Sequence, residues 1–180
     1  MPLRYLAFVV VLLAVGPAFL DGPPLAHTGG FGEPTCLACH FDGDLNDPSG
    51  SLLIQGLPER YHAGETYLIE IILIKPGMKH AGFQATLRDA STGEQAGAWI
   101  DLPDGIKVEA SEERVVYAMH TRAGAASAQG DTARWQLRWK APESAPEQVI
   151  LHVAGNAADG DESPFGDAIY AGTHVFTPMH

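Results

Sequence analysis

Residues 134–140 read Arg134-Trp135-Gln136-Leu137-Arg138-Trp139-Lys140 and alternate without a break. Trp135, Leu137 and Trp139 fall on one side. Arg134, Gln136, Arg138 and Lys140 fall on the other. A period of two is that of a strand with one face on a core and the other in water. Upstream, residues 66–74 (TYLIEIILI) are β-branched and nearly all apolar, which predicts a central strand covered on both faces. Runs at 51–55, 83–88, 96–100, 106–109, 114–120, 148–154 and 173–176 bring the set to about nine short strands. Leu57-Pro58, His62-Ala63-Gly64, Gly77, Gly82 and a small-residue loop at 123–130 lie between them. The chain has 20 Gly and 13 Pro, shows no repeat or heptad, and has no linker that would split it. The pattern predicts an all-β antiparallel sandwich.

The length, 180 residues, suits one domain after removal of a targeting segment. Eleven Lys+Arg against 22 Asp+Glu give a formal charge of −11. Such a field repels nucleic acid and anionic lipid and favours a basic partner. Arg4 precedes the apolar run at 5–15 (YLAFVVVLLAV), and Gly16-Pro17-Ala18 breaks it. The run has signal-peptide length and is too short to cross a bilayer, and Pro17, Asp21, Gly22, Pro23 and Pro24 follow. A second cut site lies after Ala26. Residues 1–26 are therefore expected to be a signal peptide and 27–180 the exported domain, periplasmic or secreted, with no membrane span after cleavage.

The chemistry-bearing motif is C-x-x-C-H: Cys36-Leu37-Ala38-Cys39-His40. Two thiols at this spacing can add across the vinyl groups of one haem, and the adjacent imidazole then becomes the proximal iron ligand. The expected cofactor is a single covalent haem c in an N-terminal loop. A redox pair or disulfide, half of a zinc site completed by histidines, and a motif that no longer takes haem are the competing readings. No thioredoxin-like pattern and no second C-x-x-C accompany it.

Several stretches together resemble the choice-of-anchor V domain, a bacterial relative of the Reeler domain. They are Gly29-Gly30-Phe31-Gly32-Glu33-Pro34-Thr35 before the cysteines, Leu57-Pro58 with Tyr61, Gly64-Glu65-Thr66-Tyr67, and Ala81-Gly82-Phe83-Gln84. Further stretches are Tyr117-Ala118-Met119-His120-Thr121, and Trp135 with Trp139-Lys140-Ala141-Pro142. The densest is Ala154-Gly155-Asn156-Ala157-Ala158-Asp159-Gly160-Asp161 with Gly166-Asp167-Ala168-Ile169-Tyr170. The resemblance covers roughly residues 28–176 and implies an immunoglobulin-like β-sandwich in an exported protein, often carrying C-x-x-C-H. Ala63 stands where the family usually has Pro. No sorting tail is expected after Phe176, which favours a free periplasmic or secreted protein over surface display.

The iron's sixth position has many candidates: His27, His62, Met78, His80, Met119, His120, His152, His174, Met179 and His180. Met119 and His120 are adjacent on a strand and face opposite ways. Val115, Tyr117 and Met119 form the more apolar set, which assigns Met119 to the core and leaves His120, at a strand end, as the expected distal ligand. Met78 and His80, on a turn, are the alternatives. A structural hydrogen-bonding role competes for His120, since haem-free Reeler relatives carry a His at the matching place. The acidic stretches at 42–47 and 159–163 space like calcium loops but lack the Gly and Glu such loops need, so solvated turns are expected. No phosphate loop and no nucleophile elbow is present, and no catalytic residues are assigned. The expected function is that of a non-enzymatic, monohaem c-type cytochrome-like electron-transfer protein with a basic redox partner. The alternative is a Reeler-like adhesion or ligand-binding module.

Overall fold

The computed structural model describes residues 21–125 and 130–179. A single 3-10 turn, Cys36–Ala38, precedes ten strands. They are β1 (Ser51–Gln55), β2 (Arg60–Tyr61), β3 (Thr66–Ile74), β4 (His80–Asp89), β5 (Ala98–Ile100), β6 (Ile106–Ala110), β7 (Val116–His120), β8 (Thr132–Lys140), β9 (Val149–Ala158) and β10 (Ala168–Pro178). Two sheets form, ordered β1-β3-β8-β5 and β2-β10-β9-β4-β7-β6. The result is an all-β sandwich, antiparallel except where the two-residue β2 pairs in parallel with the end of β10.

Strand β8 realises the sequence alternation in full. Ala133, Trp135, Leu137 and Trp139 are buried between exposed polar neighbours. Trp139 stands edge-on to Tyr61 and Phe176 and donates its indole N–H to Ala96 O at 2.9 Å. Trp135 packs on Phe83 with ring centres 4.8 Å apart. These indoles bridge the two sheets, each with apolar area in the core and its one polar atom satisfied.

The expectation that 66–74 is covered on both faces is met in part. Ile69, Ile71 and Leu73 enter the core, but Leu68, on the other face, is 47% exposed. Ile72, on that face between Leu53 and Arg134 of the flanking strands, is buried. The strand covered on both sides is β4, where residues 81–87 are all buried. Ala81, Phe83, Ala85 and Leu87 face the core. Gln84 and Arg88 face outward and are roofed by residues 24–34: His27 N–H donates to the Gln84 carbonyl oxygen at 2.7 Å, and Gln84 donates to Pro24 O at 2.9 Å. Leu25 and Ala26 cover Val115, Tyr117 and Met119, a second small core. Met119 is fully buried there, under the N-terminal segment.

The apolar run at 5–15 and the break at 16–18 lie outside the described residues. Residues 22–26, placed in the signal peptide by the sequence reading, pack against β7 and β4. Among the described residues no helix is long and apolar enough to cross a membrane.

Candidate functional site

The Cys36–Ala38 turn is built for its sequence. Thr35 caps it, its hydroxyl accepting from Leu37 N–H at 3.2 Å. The Cys36 carbonyl accepts from both Cys39 N–H and His40 N–H at 3.1 Å. One carbonyl thus gathers the two thiols and the imidazole onto a single turn. Both cysteines are free thiols; Cys36 is half-buried and Cys39 exposed. Burial pushes the Cys36 thiol up to about 12, with a smaller contribution from Cys39.

The turn is tied down on both sides. Upstream, Gly29 and Pro34 close a turn by Gly29 N–H to Pro34 O at 2.9 Å. Glu33 then reaches β4 and β7: one carboxylate oxygen accepts from Arg88 at 2.6 Å and from the Tyr117 hydroxyl at 2.5 Å, the other from Thr28 at 2.7 Å. Burial, then the Glu33 bond, hold the Tyr117 hydroxyl well above its usual range. Downstream, Asp42 accepts from Gly166 N–H at 2.7 Å, and Asn46 bonds Ile169 O and Ala171 N–H. The motif therefore lies between a clasp on β4 and the start of β10.

His40 meets the sheet at β9 and β10. Its Nδ1 is 2.7 Å from Asp167 Oδ2. Asp167, just before β10, is 5% exposed. The same carboxylate accepts from Asn156 Nδ2 at 3.0 Å and from Asp159 N–H at 3.3 Å. An ionised carboxylate only accepts, so the proton belongs on His40 Nδ1 and the lone pair on Nε2. Asn156 Nδ2 sits 3.4 Å from Nδ1 and 3.3 Å from Nε2, alongside the ring edge rather than aimed at either nitrogen. Asn156 Oδ1 is buried without a hydrogen-bond partner.

His120 stands near this group in a structural setting. It is 8% exposed, and its Nδ1 accepts from Phe83 N–H at 3.0 Å. Its ring lies where a Cβ on Gly82 would be, 2.4–2.8 Å from that position. Only glycine allows so close an approach. Gly82 pairs across the sheet with Asn156, so His120 is one strand away from the amide beside His40. Met78 is 4% exposed in the main core. His80 is exposed at the start of β4. His27 is part of the N-terminal roof, and His152 lies beneath that roof, where it meets the Phe31 ring edge-on at 5.5 Å. His174 lies 3.4 Å from Pro58 O; His62 and Met179 are exposed; His180 lies outside the described residues.

Among the described residues no three His, Cys, Asp or Glu side chains converge as a cage for a bare metal ion. The acidic loops spend carboxylates on their own backbone: Asp159 accepts from Asp161 N–H and Asp161 from Ser163 N–H. The donor set on the turn suits a haem better than an ion, because a porphyrin supplies the equatorial nitrogens and asks the protein only for thioethers and axial ligands. Asp167 also provides the outer hydrogen bond that metal-ligating histidines carry.

Asn156, Asp167 and Glu33 have no local spacing that marks them as functional. Asn156 and Asp167 do fall within the densest stretch of the family resemblance, and Glu33 lies in the stretch before the cysteines.

No family model and no curated protein matches the sequence. Solved structures do share its fold. The Reelin-N domain of F-spondin matches with a TM-score of 0.54 at 17% identity, covering 80% of this chain and 97% of that one. The human F-spondin reeler domain gives 0.53 at 18%, over 77% and 95%. A cohesin module of a Clostridium perfringens family 33 glycoside hydrolase gives 0.50 at 10%, over 72% and 96%. The fold is Reeler-like.

Proposed function

We propose that this protein is an exported, non-enzymatic Reeler-like module that carries one covalent haem c and exchanges electrons with a basic redox partner. The observation that carries the reading is the bond from His40 Nδ1 to the buried Asp167 carboxylate, on a turn that also presents two free thiols. When bound, the haem would supply reversible one-electron chemistry. Cys36 and Cys39 would each add sulfur and hydrogen across one vinyl group, leaving two thioethers and needing no external oxidant. His40 would ligate through Nε2. Asp167 accepts from Nδ1 and fixes the ring, the outer hydrogen bond a ligating histidine would need. Asn156 and the Asp159 amide hold Asp167 in turn.

The surface beside the turn supports the partner. Phe41 and Phe165 are 61% and 53% exposed and meet edge-to-face at 5.4 Å. Asp42, Asp44, Asp161 and Glu162 are exposed in the same two loops. An apolar spot with an acidic rim suits a partner whose contact face is apolar with a basic rim, met at a salt-dependent rate. The apolar run at 5–15 supports export to the periplasm or beyond.

A second reading, an adhesion or ligand-binding module without haem, is favoured by the likeness to F-spondin Reeler domains. One measurement separates the two. Protein made in a host with haem-maturation machinery should exceed its processed mass by one haem and keep haem stain after denaturation. The Cys36→Ala, Cys39→Ala double variant should lose both signals. Wild type without added haem mass would leave the second reading standing.

A further inference from the structure

We infer that His80, rather than His120, supplies the second axial nitrogen opposite His40; the inference rests on the haem reading above. His80 opens β4 with its side chain exposed, and among the described residues its ring has no hydrogen-bond or ion-pair partner. The β4–β9 register sets His80 opposite Ala158 and Gly82 opposite Asn156. Residues directly opposite, and residues two apart, share a face of the sheet. His80 and Asn156 are therefore diagonal neighbours on one face. Such neighbours are about 7–8 Å apart, within reach of long or aromatic side chains. The His40 ring already touches that Asn156 amide. The two imidazoles thus approach one patch of sheet from different directions, His40 from the C-x-x-C-H turn and His80 from the strand itself.

Gly160 packs beside His80: a Cβ there would stand 3.5 Å from the His80 ring and 2.9 Å from Lys79 Cβ. His120 is placed for another task. Its Nδ1 accepts a hydrogen bond from Phe83 N–H, and its ring fills the space over Gly82. Turning it outward to an iron would strand a buried amide and open a void in the sheet. His80 can turn without breaking any bond.

The test compares the ferric spin state, by absorption and electron paramagnetic resonance, of full-length wild type, His80→Ala and His120→Asn, all made with maturation machinery. Haem content and melting midpoint are measured alongside. Wild type should be low-spin. His80→Ala should turn high-spin with unchanged haem content and a melting midpoint within about 2 °C of wild type, and added imidazole should return it to low spin. His120→Asn should melt lower and remain low-spin. A low-spin His80→Ala protein, or a haem-bearing wild type that is already high-spin, would overturn the assignment and leave the haem reading intact. A wild type with no covalent haem would overturn both.

Discussion

His40 Nδ1 and Asp167 Oδ2 lie 2.7 Å apart, joining an imidazole about one-quarter exposed to a carboxylate that is almost wholly buried. The contact links the Cys36–Ala38 turn to the residue just before β10, the last strand. Asp167 can be buried because three donors converge on it: His40, Asn156 and the Asp159 amide. Asp167→Ala leaves all three without that acceptor. Each stranded buried group costs about 1–3 kcal/mol, tempered where water can enter. Urea denaturation should show Asp167→Ala at least about 2 kcal/mol less stable than wild type. In haem-loaded protein Asp167→Asn should raise the reduction potential, because the ligating ring loses a basic hydrogen-bond partner. An unchanged stability in Asp167→Ala would show that the contact contributes nothing to the fold.

Glu33 fastens the N-terminal segment to the outer face of the six-stranded sheet through Arg88, Tyr117 and Thr28. The ion pair is largely shielded, with the Arg88 and Glu33 side chains 14% and 10% exposed. Phe31 lies over the guanidinium at 4.5 Å and shuts out water. Removing one partner of such a pair leaves an uncompensated charge and costs about 3–5 kcal/mol. Glu33→Ala should approach that loss. Limited proteolysis should then cut within residues 22–34 well before the strands are attacked. If the variant is cut no faster than wild type, the segment is held by its apolar contacts alone.

The sandwich was legible where one side of a strand meets water. Strand β8 alternates because Arg134 and Arg138 must be outside and Trp135 and Trp139 inside, and no other structure satisfies both. It was less legible where small residues form strands. Residues 155–158 and 168–172 extend β9 and β10 beyond the runs their own side chains suggest. Gly155, Ala157 and Gly172 have little strand preference, and it is pairing with β4 and with each other that holds them extended. Residues 22–26 read as the end of a signal peptide and 27–34 as part of the N-terminal loop, yet together they roof the sheet. Their role depends on Gln84 and Arg88, which are more than fifty residues away. Cys36, Cys39 and His40 could be found because their chemistry is local. Asp167 and Asn156 come together with His40 only once β9 and β10 pair, and no spacing rule encodes that.

His152 gives a pH signature. Burial under the N-terminal segment holds its ring below the ordinary histidine range, with the nearby Glu33 carboxylate opposing and Arg88 assisting. Gly30 packs so closely that a Cβ there would come within 2.4 Å of the ring. The unfolded chain therefore takes a proton at His152 at about pH 6.5, before the native protein does. Where the unfolded state binds more protons, stability rises with pH. Stability should fall as pH drops through about 6.5, and the loss should stop growing once pH passes below the native value. Urea midpoints of wild type and His152→Gln, compared over roughly pH 5 to 8, should show a shallower slope in the variant. Parallel slopes would assign the pH response to other groups.

Under the proposed export, the contacts of residues 21–26 with the sheet choose between two cut sites. Two cuts suit the sequence, one after Ala18 and one after Ala26. Leu25 and Ala26 cover Val115, Tyr117 and Met119, and Pro24 O receives the Gln84 amide. Gly22 lies so near Met119, Lys107 and the His120 carbonyl that a Cβ there would be about 3 Å from each. Asp21 Oδ1 accepts from Arg122 N–H at 3.1 Å. A cut after Ala26 would strip all of this away. It would expose Met119, which is fully buried, at a cost of about 1.5–3 kcal/mol for the lost apolar burial alone. The cut after Ala18 keeps every one of these contacts. N-terminal sequencing of the exported protein should therefore begin at Phe19, and a variant beginning at His27 should be less stable to urea. A mature protein that starts at His27 and melts no lower than one starting at Phe19 would show that residues 22–26 are dispensable to the fold.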